Sequence, residues 1–177
     1  MKKLTLILFL SVTFLANAQE TIPVDEETGL AKISEVVDAP NSTKAQLFER
    51  ALAWFGTFYP NPTGVIQSKD PANGEIVGKA QFKITGKDKN GTETYDGQVG
   101  YTITLQFKDN KFRYEITRIG WKLASYYDVS KWMDTKDQYY KESYVSYIAQ
   151  TNAYFEKLQD SLEDAVTTAA PVKKDDW

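Results

Sequence analysis

VGYTITLQFKDNKFRYEITRI, residues 99–119, alternates apolar and polar side chains with a period of two on both sides of one break. Val99, Tyr101, Ile103, Leu105 and Phe107 take one parity, and Thr102, Thr104, Gln106 and Lys108 the other. Asp109-Asn110-Lys111 supplies a tight turn, after which Phe112, Tyr114 and Ile116 alternate with Arg113, Glu115 and Thr117. Successive side chains of a strand point to opposite faces, so this pattern predicts two antiparallel strands with one face buried and one face wet.

The pattern extends toward the N-terminus. Residues 75–86 place Ile76, Ala80, Phe82 and Ile84 against Lys79, Gln81, Lys83 and Thr85, and Lys89-Asn90-Gly91-Thr92 turns the chain into the next strand. Asp70-Pro71-Ala72-Asn73-Gly74 joins this run to a short strand at 65–69. Four strands without an intervening helix make a meander, and its apolar face needs a cover. Leu47, Phe48, Ala51, Leu52, Phe55 and Phe58 recur at helical spacing after a start at Asn41 or Ser42, and Tyr59-Pro60-Asn61-Pro62 ends that helix. Tyr140, Tyr144, Ile148, Phe155, Leu158 and Leu162 predict a second helix over 136–165. Residues 30–37 read as a first strand with an imperfect pattern, and 123–133 has no clear period.

The chain opens with Met1-Lys2-Lys3, an apolar run from Leu4 to Leu15, and the small-x-small triplet Ala16-Asn17-Ala18. This is the three-part pattern of a secretory signal, too short to span a bilayer, with cleavage expected between Ala18 and Gln19. The mature chain keeps 19 of the 21 basic residues against 24 acidic ones, a formal charge of −5. A periplasmic or secreted location follows from a leader without a lipid-accepting cysteine. The chain has no cysteine and no histidine, which excludes disulfides, thiolate chemistry, the commonest general base and the commonest zinc ligand. No cofactor is expected, and a net negative charge argues against nucleic acid as a partner. Residues 19–29 read as an extended, acidic lead-in whose Asp25, Glu26 and Glu27 lack the alternate spacing of a calcium loop. One domain is expected over 30–165, with a polar, disordered tail at 166–177.

The stretches IPVDEETGLAKISEVVDAPNSTKAQLFERALAWF (22–55), GEIVGKAQFKI (74–84) and VGYTITLQFKDNKFRYEITRI (99–119) resemble the domain-of-unknown-function family numbered 4468, described as having a TBP-like fold. The resemblance implies an α+β architecture, helix-grip-like, of order β-α-β-β-β-β-α. A curved antiparallel sheet is covered on one face by helices, in exported proteins of Bacteroidetes-type bacteria. It carries over no catalytic residue.

Two surfaces are candidates for binding. Lys79, Lys83, Lys108 and Arg113 share the wet parity and make a basic face on an acidic protein, suited to an acidic envelope protein, a peptide or a glycan. Tyr126, Tyr127 and Trp132 could offer flat stacking surfaces, whereas Tyr140, Tyr144 and Tyr147 fit the inward face of the last helix. These features favour a non-enzymatic binding module. The alternative is a hydrolase acting on glycans or peptides through paired carboxylates, for which Asp96, Glu115, Glu142, Glu156 and Asp160 are the scattered candidates. If the leader is read correctly, protein recovered outside the cytoplasm has an intact mass beginning at Gln19; a mass retaining residues 1–18 makes the segment an anchor.

Overall fold

The computed structural model describes residues 20–122 and 125–168. The leader, the Ala18–Gln19 junction and tail residues 169–177 lie outside them. Chain order is β1 (Ile33–Asp38), α1 (Lys44–Phe58), α2 (Pro62–Val65), β2 (Ile66–Asp70), β3 (Glu75–Lys87), β4 (Glu93–Lys108), β5 (Lys111–Lys122), β6 (Tyr126–Asp128), a 3-10 turn (Val129–Met133) and α3 (Ser143–Thr167). All pairings are antiparallel, in the order β1-β5-β4-β3-β2, with β6 adding to β5 beyond β1. The architecture is the expected one with a sixth strand added.

Register explains why the alternation was so clean. Ile33, Ile116 and Ile103 form one cross-strand row, continued at Gly78; Val37, Phe112 and Phe107 form another. Ile103, Leu105, Phe107, Phe112, Tyr114 and Ile116 are all buried on the face that α1 and α3 cover. Gly78 is small because α1 presses on it: a Cβ there would meet the Phe55 ring at 2.9 Å. At the edge, Glu35 of β1 occupies a core-facing position opposite Tyr114, which is why β1 reads imperfectly.

Helix α1 begins one residue later than expected. Thr43 is its cap, paired with Gln46 in a capping box, while Ser42 is buried and accepts from Arg50 Nη1. The β4–β5 turn also holds this end: Asp109 Oδ1 accepts from Lys44 N at 2.7 Å and Asn110 Oδ1 from Asn41 N at 2.9 Å. Asn110 has φ 66°, a conformation asparagine tolerates. Trp54, absent from the expected stripe, is buried and donates Nε1 to Ser161 Oγ, tying α1 to α3.

The second helix starts at Ser143, not 136. Asp134 Oδ1 accepts from Lys136 N and Asp137 Oδ1 from Tyr139 N, and these side-chain turns compete with helical bonding through that stretch. The helix also continues to Thr167 with Val166 buried, so residues 166–168 belong to the domain. The lead-in is folded: Ile22 is buried, Val24 bridges Ala31, and Asp25 closes the turn by accepting from Thr28 N and Oγ1. Those hydrogen bonds hold the Asp25 carboxyl below its ordinary value.

Ile103→Ala or Phe112→Ala is expected to lower stability by about 2–5 kcal/mol by opening a cavity, and Thr102→Ala to change it by less than about 0.5 kcal/mol. Denaturant melts compare the two sets, and the reverse order would invert the assigned faces.

Candidate functional site: a cationic cleft on the open sheet face

The irregular segment of β5 shapes the uncovered side of the sheet. Gly100 pairs with Gly120 and Thr102 with Thr117, so Arg118 and Ile119 stand against the single residue Tyr101. This is a β-bulge, and Arg118 takes the left-handed conformation, φ 52°, that glycine usually supplies at such a position. The extra residue resets parity. Ile119 and Trp121 turn to the core side, and Lys122 joins the open side with Lys79 and Gln81 of β3.

The open face here is hollow because two glycines floor it. A Cβ on Gly100 would meet only Ala80 O at 3.8 Å, whereas one on Gly120 would meet the Tyr126 ring at 2.6 Å. Tyr126 therefore lies across Gly120. Its hydroxyl donates to Asp128 Oδ2 at 2.5 Å, and the Arg118 guanidinium sits 5.5 Å from its ring centre. Burial, and then the hydrogen bond to Asp128, push the Tyr126 phenol above its ordinary value. Asp128 is buried, with Oδ1 accepting from Ala31 N and Ser130 N, so β6 is pinned to the lead-in and to the 3-10 turn at once.

The resulting cleft has a volume of about 730 Å³ and is bordered by the Pro60–Val65 segment, β3 and Tyr126. That is within the range of pockets that take small ligands. Lys79, Arg118 and Lys122 line it, and among the described residues no carboxylate does. Among the described residues the ion pairs are Lys32–Asp25, Lys32–Glu115 and Arg113–Glu115, none of which uses the three cleft cations. Lys122 Nζ donates to Gln81 Oε1, which holds the ammonium over the cleft.

The residues singled out in the sequence separate into groups. Lys79 lines the cleft, and Lys83 lies four residues along β3 in a neighbouring recess with Gln98 and Tyr95. Lys108 and Arg113 lie toward the opposite end of the sheet: Lys108 is six residues along β4 from Thr102, about 20 Å at strand spacing, and Arg113 pairs with Gln106, four residues or about 13 Å from it. There Arg113 pairs with Glu115 and donates to Gln106. Tyr126 is half exposed in the cleft. Tyr127 is partly buried under Lys131, and burial raises its phenol to about 12. Trp132 corrects the expectation of an exposed ring: it is 1% exposed, packed edge-on to Trp121 and stacked on Tyr144. Arg118 and Lys122 were missed, although the three-residue step from Ile116 to Ile119 carried the signal of a bulge.

Two carboxylates converge on Tyr114. The Tyr114 hydroxyl lies 2.9 Å from Glu35 Oε2 and 2.8 Å from Glu163 Oε1, and Gln159 Nε2 donates to it at 2.9 Å. This group clamps α3 to β1 and β5 and lines neither the cationic cleft nor the aromatic recess beside Trp121. Asp96 accepts from the Tyr147 hydroxyl at 2.6 Å and from Thr94 Oγ1, and Glu115 faces Lys32 and Arg113. Glu156 and Asp160 lie on the outer face of α3, whereas Glu142 precedes its first turn. Among the described residues no three acidic side chains cluster as a metal site would require, and no helix is long and apolar enough to cross a membrane.

This sheet and its covering helices define a TBP-like α+β domain. The chain belongs to the DUF4468 family, a domain of unknown function with TBP-like fold, whose description matches residues 34–122. Two crystal structures share the fold at 16% identity. One is a DUF4468 family protein from Bacteroides ovatus, TM-score 0.65, covering 84% of this chain and 92% of that one. The other is a TBP-like protein from Parabacteroides distasonis, TM-score 0.67, covering 84% and 98%. No curated protein matches.

Gly100→Ala is expected to leave stability within about 0.5 kcal/mol, because its Cβ enters open space. Gly120→Ala is expected to displace the Tyr126 ring and lower stability by about 1–3 kcal/mol through overpacking. Melting curves with near-ultraviolet circular dichroism read both, and equal effects would contradict the placement of Tyr126.

Proposed function

We propose that this chain is an exported, non-enzymatic binding domain that receives an anionic ligand in the cleft on its open sheet face. The observation that carries this reading is the convergence of Lys79, Arg118 and Lys122, without a carboxylate among the described lining residues, on a protein of formal charge −3. Concentrating positive charge in a concave region of an acidic surface focuses attraction on that region. A non-glycine residue held in the left-handed region costs about 1–3 kcal/mol, and such strain gathers at functional positions. Here it places the Arg118 guanidinium beside the Tyr126 ring and at the cleft wall.

Export is supported by the leader of residues 1–18, and the periplasm or the medium is the expected site of action. Glu35 and Glu163 are engaged by Tyr114, and Asp25 and Glu115 by Lys32; both pairs stand apart from the cleft, so they add no support to a hydrolytic reading.

Calorimetric titration with polyglutamate and with polygalacturonate tests the proposal. Lys79→Glu and Lys122→Glu are each expected to weaken binding about tenfold or more, the 1.4 kcal/mol scale of one charge-assisted contact. Arg118→Gly keeps the backbone conformation while removing the cation, and should weaken binding without loss of stability. Lys108→Glu, at the far end of the sheet, is expected to leave affinity within twofold, and added salt to weaken binding of the native chain. Absence of binding by both polymers, or equal sensitivity at Lys108 and Lys79, would overturn the reading.

A further inference from the structure

Strand β3 is longer than its outer partner. β2 pairs with residues 75–78 alone, and beyond Gly78 the outer edge of β3 runs on to Lys87 without a strand beside it. One position on this edge is satisfied by a side chain. Gln150 of α3 accepts from Thr85 N through Oε1 at 3.0 Å and donates Nε2 to Thr85 O at 2.9 Å, so its amide stands in for the peptide group of a neighbouring strand. Thr85 thus turns both main-chain groups outward. β3 pairs with β4 without a shift from Glu75 to Ile84, and the extra residue at the irregularity, Asp96, belongs to β4. Strand alternation therefore gives Lys83, Gln81 and Lys79 the same outward N–H and C=O groups. Among the described residues no turn or loop backbone group bonds those of Gln81 and Lys83, whereas the Ile66–Gly78 pairing sets Val65 O against Lys79 N–H.

We infer that this edge is a docking site for an extended acidic peptide, which adds to the sheet as a strand beside Lys79–Lys83. The inference rests on the anionic-ligand reading and specifies its occupant. The cleft reaches this edge, with Pro60, Asn61 and Val65 on its outer border and Lys79 and Gln81 on its inner one. Lys79 and Lys83 are exposed on the open face about 13 Å apart, the span of four residues of strand. Edge lysines repel a second copy of β3, which would bring the same charges, and they hinder pairing with neutral strands. A strand with acidic side chains at alternate positions turns that barrier into attraction, with main-chain hydrogen bonds supplying affinity and the lysines selecting the sequence.

The probe is the heptapeptide Glu-Val-Glu-Val-Glu-Val-Glu, capped at both ends, in three forms: unmodified, N-methylated on the Glu amides, and N-methylated on the Val amides. A docked strand presents alternate amides to β3, so one methylated series is expected to lose at least tenfold in affinity and the other to bind within threefold of the parent. Gln81→Pro and Gln81→Ala both release Lys122, but only the proline removes one outward N–H, so Gln81→Pro should bind the unmodified peptide at least tenfold more weakly than Gln81→Ala. Should Gln81→Pro fail to fold, the methylated series decides alone. Equal binding, or equal loss, of the two series overturns strand addition. Binding of polygalacturonate with no binding of the peptide also overturns it and leaves the anionic reading standing. Failure of every acidic probe removes both.

Discussion

Three long strands carry their apolar side chains on one face, and two helices close over that face. The row Ile33–Ile116–Ile103 ends at Gly78, where Phe55 of α1 presses against the backbone. Phe82 lies 4.0 Å from Tyr154 of α3 in a stacked pair, and Phe155 packs edge-on to Tyr101. Fully burying each large apolar side chain is worth about 1.5–3 kcal/mol, so the strand faces cannot exchange roles without losing most of the domain's stability. The opposite face then has no helix left to cover it. Every polar side chain of the wet parity is open to solvent or to a ligand, and the binding question becomes one about the shape of that face.

Its shape comes from the bulge. A regular β5 would send Arg118 to the core side and Trp121 to the open side, because alternation continues by two. The inserted residue restores Ile119 and Trp121 to the interior, where Trp121 stacks on Tyr147 and meets Trp132. Lys122 and Gly120 are thereby delivered to the open face. Further up the sheet the indole of Trp121 lies where a side chain at Gly97 would stand, with a Cβ meeting the ring at 2.3 Å. Glycines at 97, 100 and 120 thus serve different ends: one admits the Trp121 indole, one leaves the cleft floor open, and one admits Tyr126.

Much of this architecture was legible. The twelve apolar residues of the alternating runs fall on the helix-covered side, and the burial of α1 follows its apolar spacing. What the residues did not disclose depends on contacts distant in sequence. Trp132 reads as a free aromatic until Trp121 and Tyr144 are brought to it. Lys136–Glu142 has helical spacing, yet local aspartate turns take its backbone groups. The basic face seemed continuous because Lys79, Lys83, Lys108 and Arg113 share a parity, but parity fixes a side and not a distance along the strand. Lys79 acquires its cationic neighbours from β5, at positions where the alternation had already slipped.

Beneath the cleft the bulge is held by groups that resist movement. Tyr101, the single residue opposite Arg118 and Ile119, points its ring to the core, where its hydroxyl lies 2.9 Å from that of Tyr59 and 2.9 Å from that of Tyr154. Burial raises all three phenols above their ordinary value, so they remain neutral donors and acceptors throughout the physiological range. Tyr59 follows α1, and Tyr154 belongs to α3, so the chain of hydroxyls fixes the central strand to both helices directly below the cleft. A buried hydroxyl that loses its partner costs about 1–3 kcal/mol, and sliding β4 by one residue would strand several at once. The cations above are therefore mounted on a rigid floor. A ligand received there as proposed would require little reorganisation of the sheet, and preorganisation of this kind would give three exposed side chains more than the small energy of isolated surface charges.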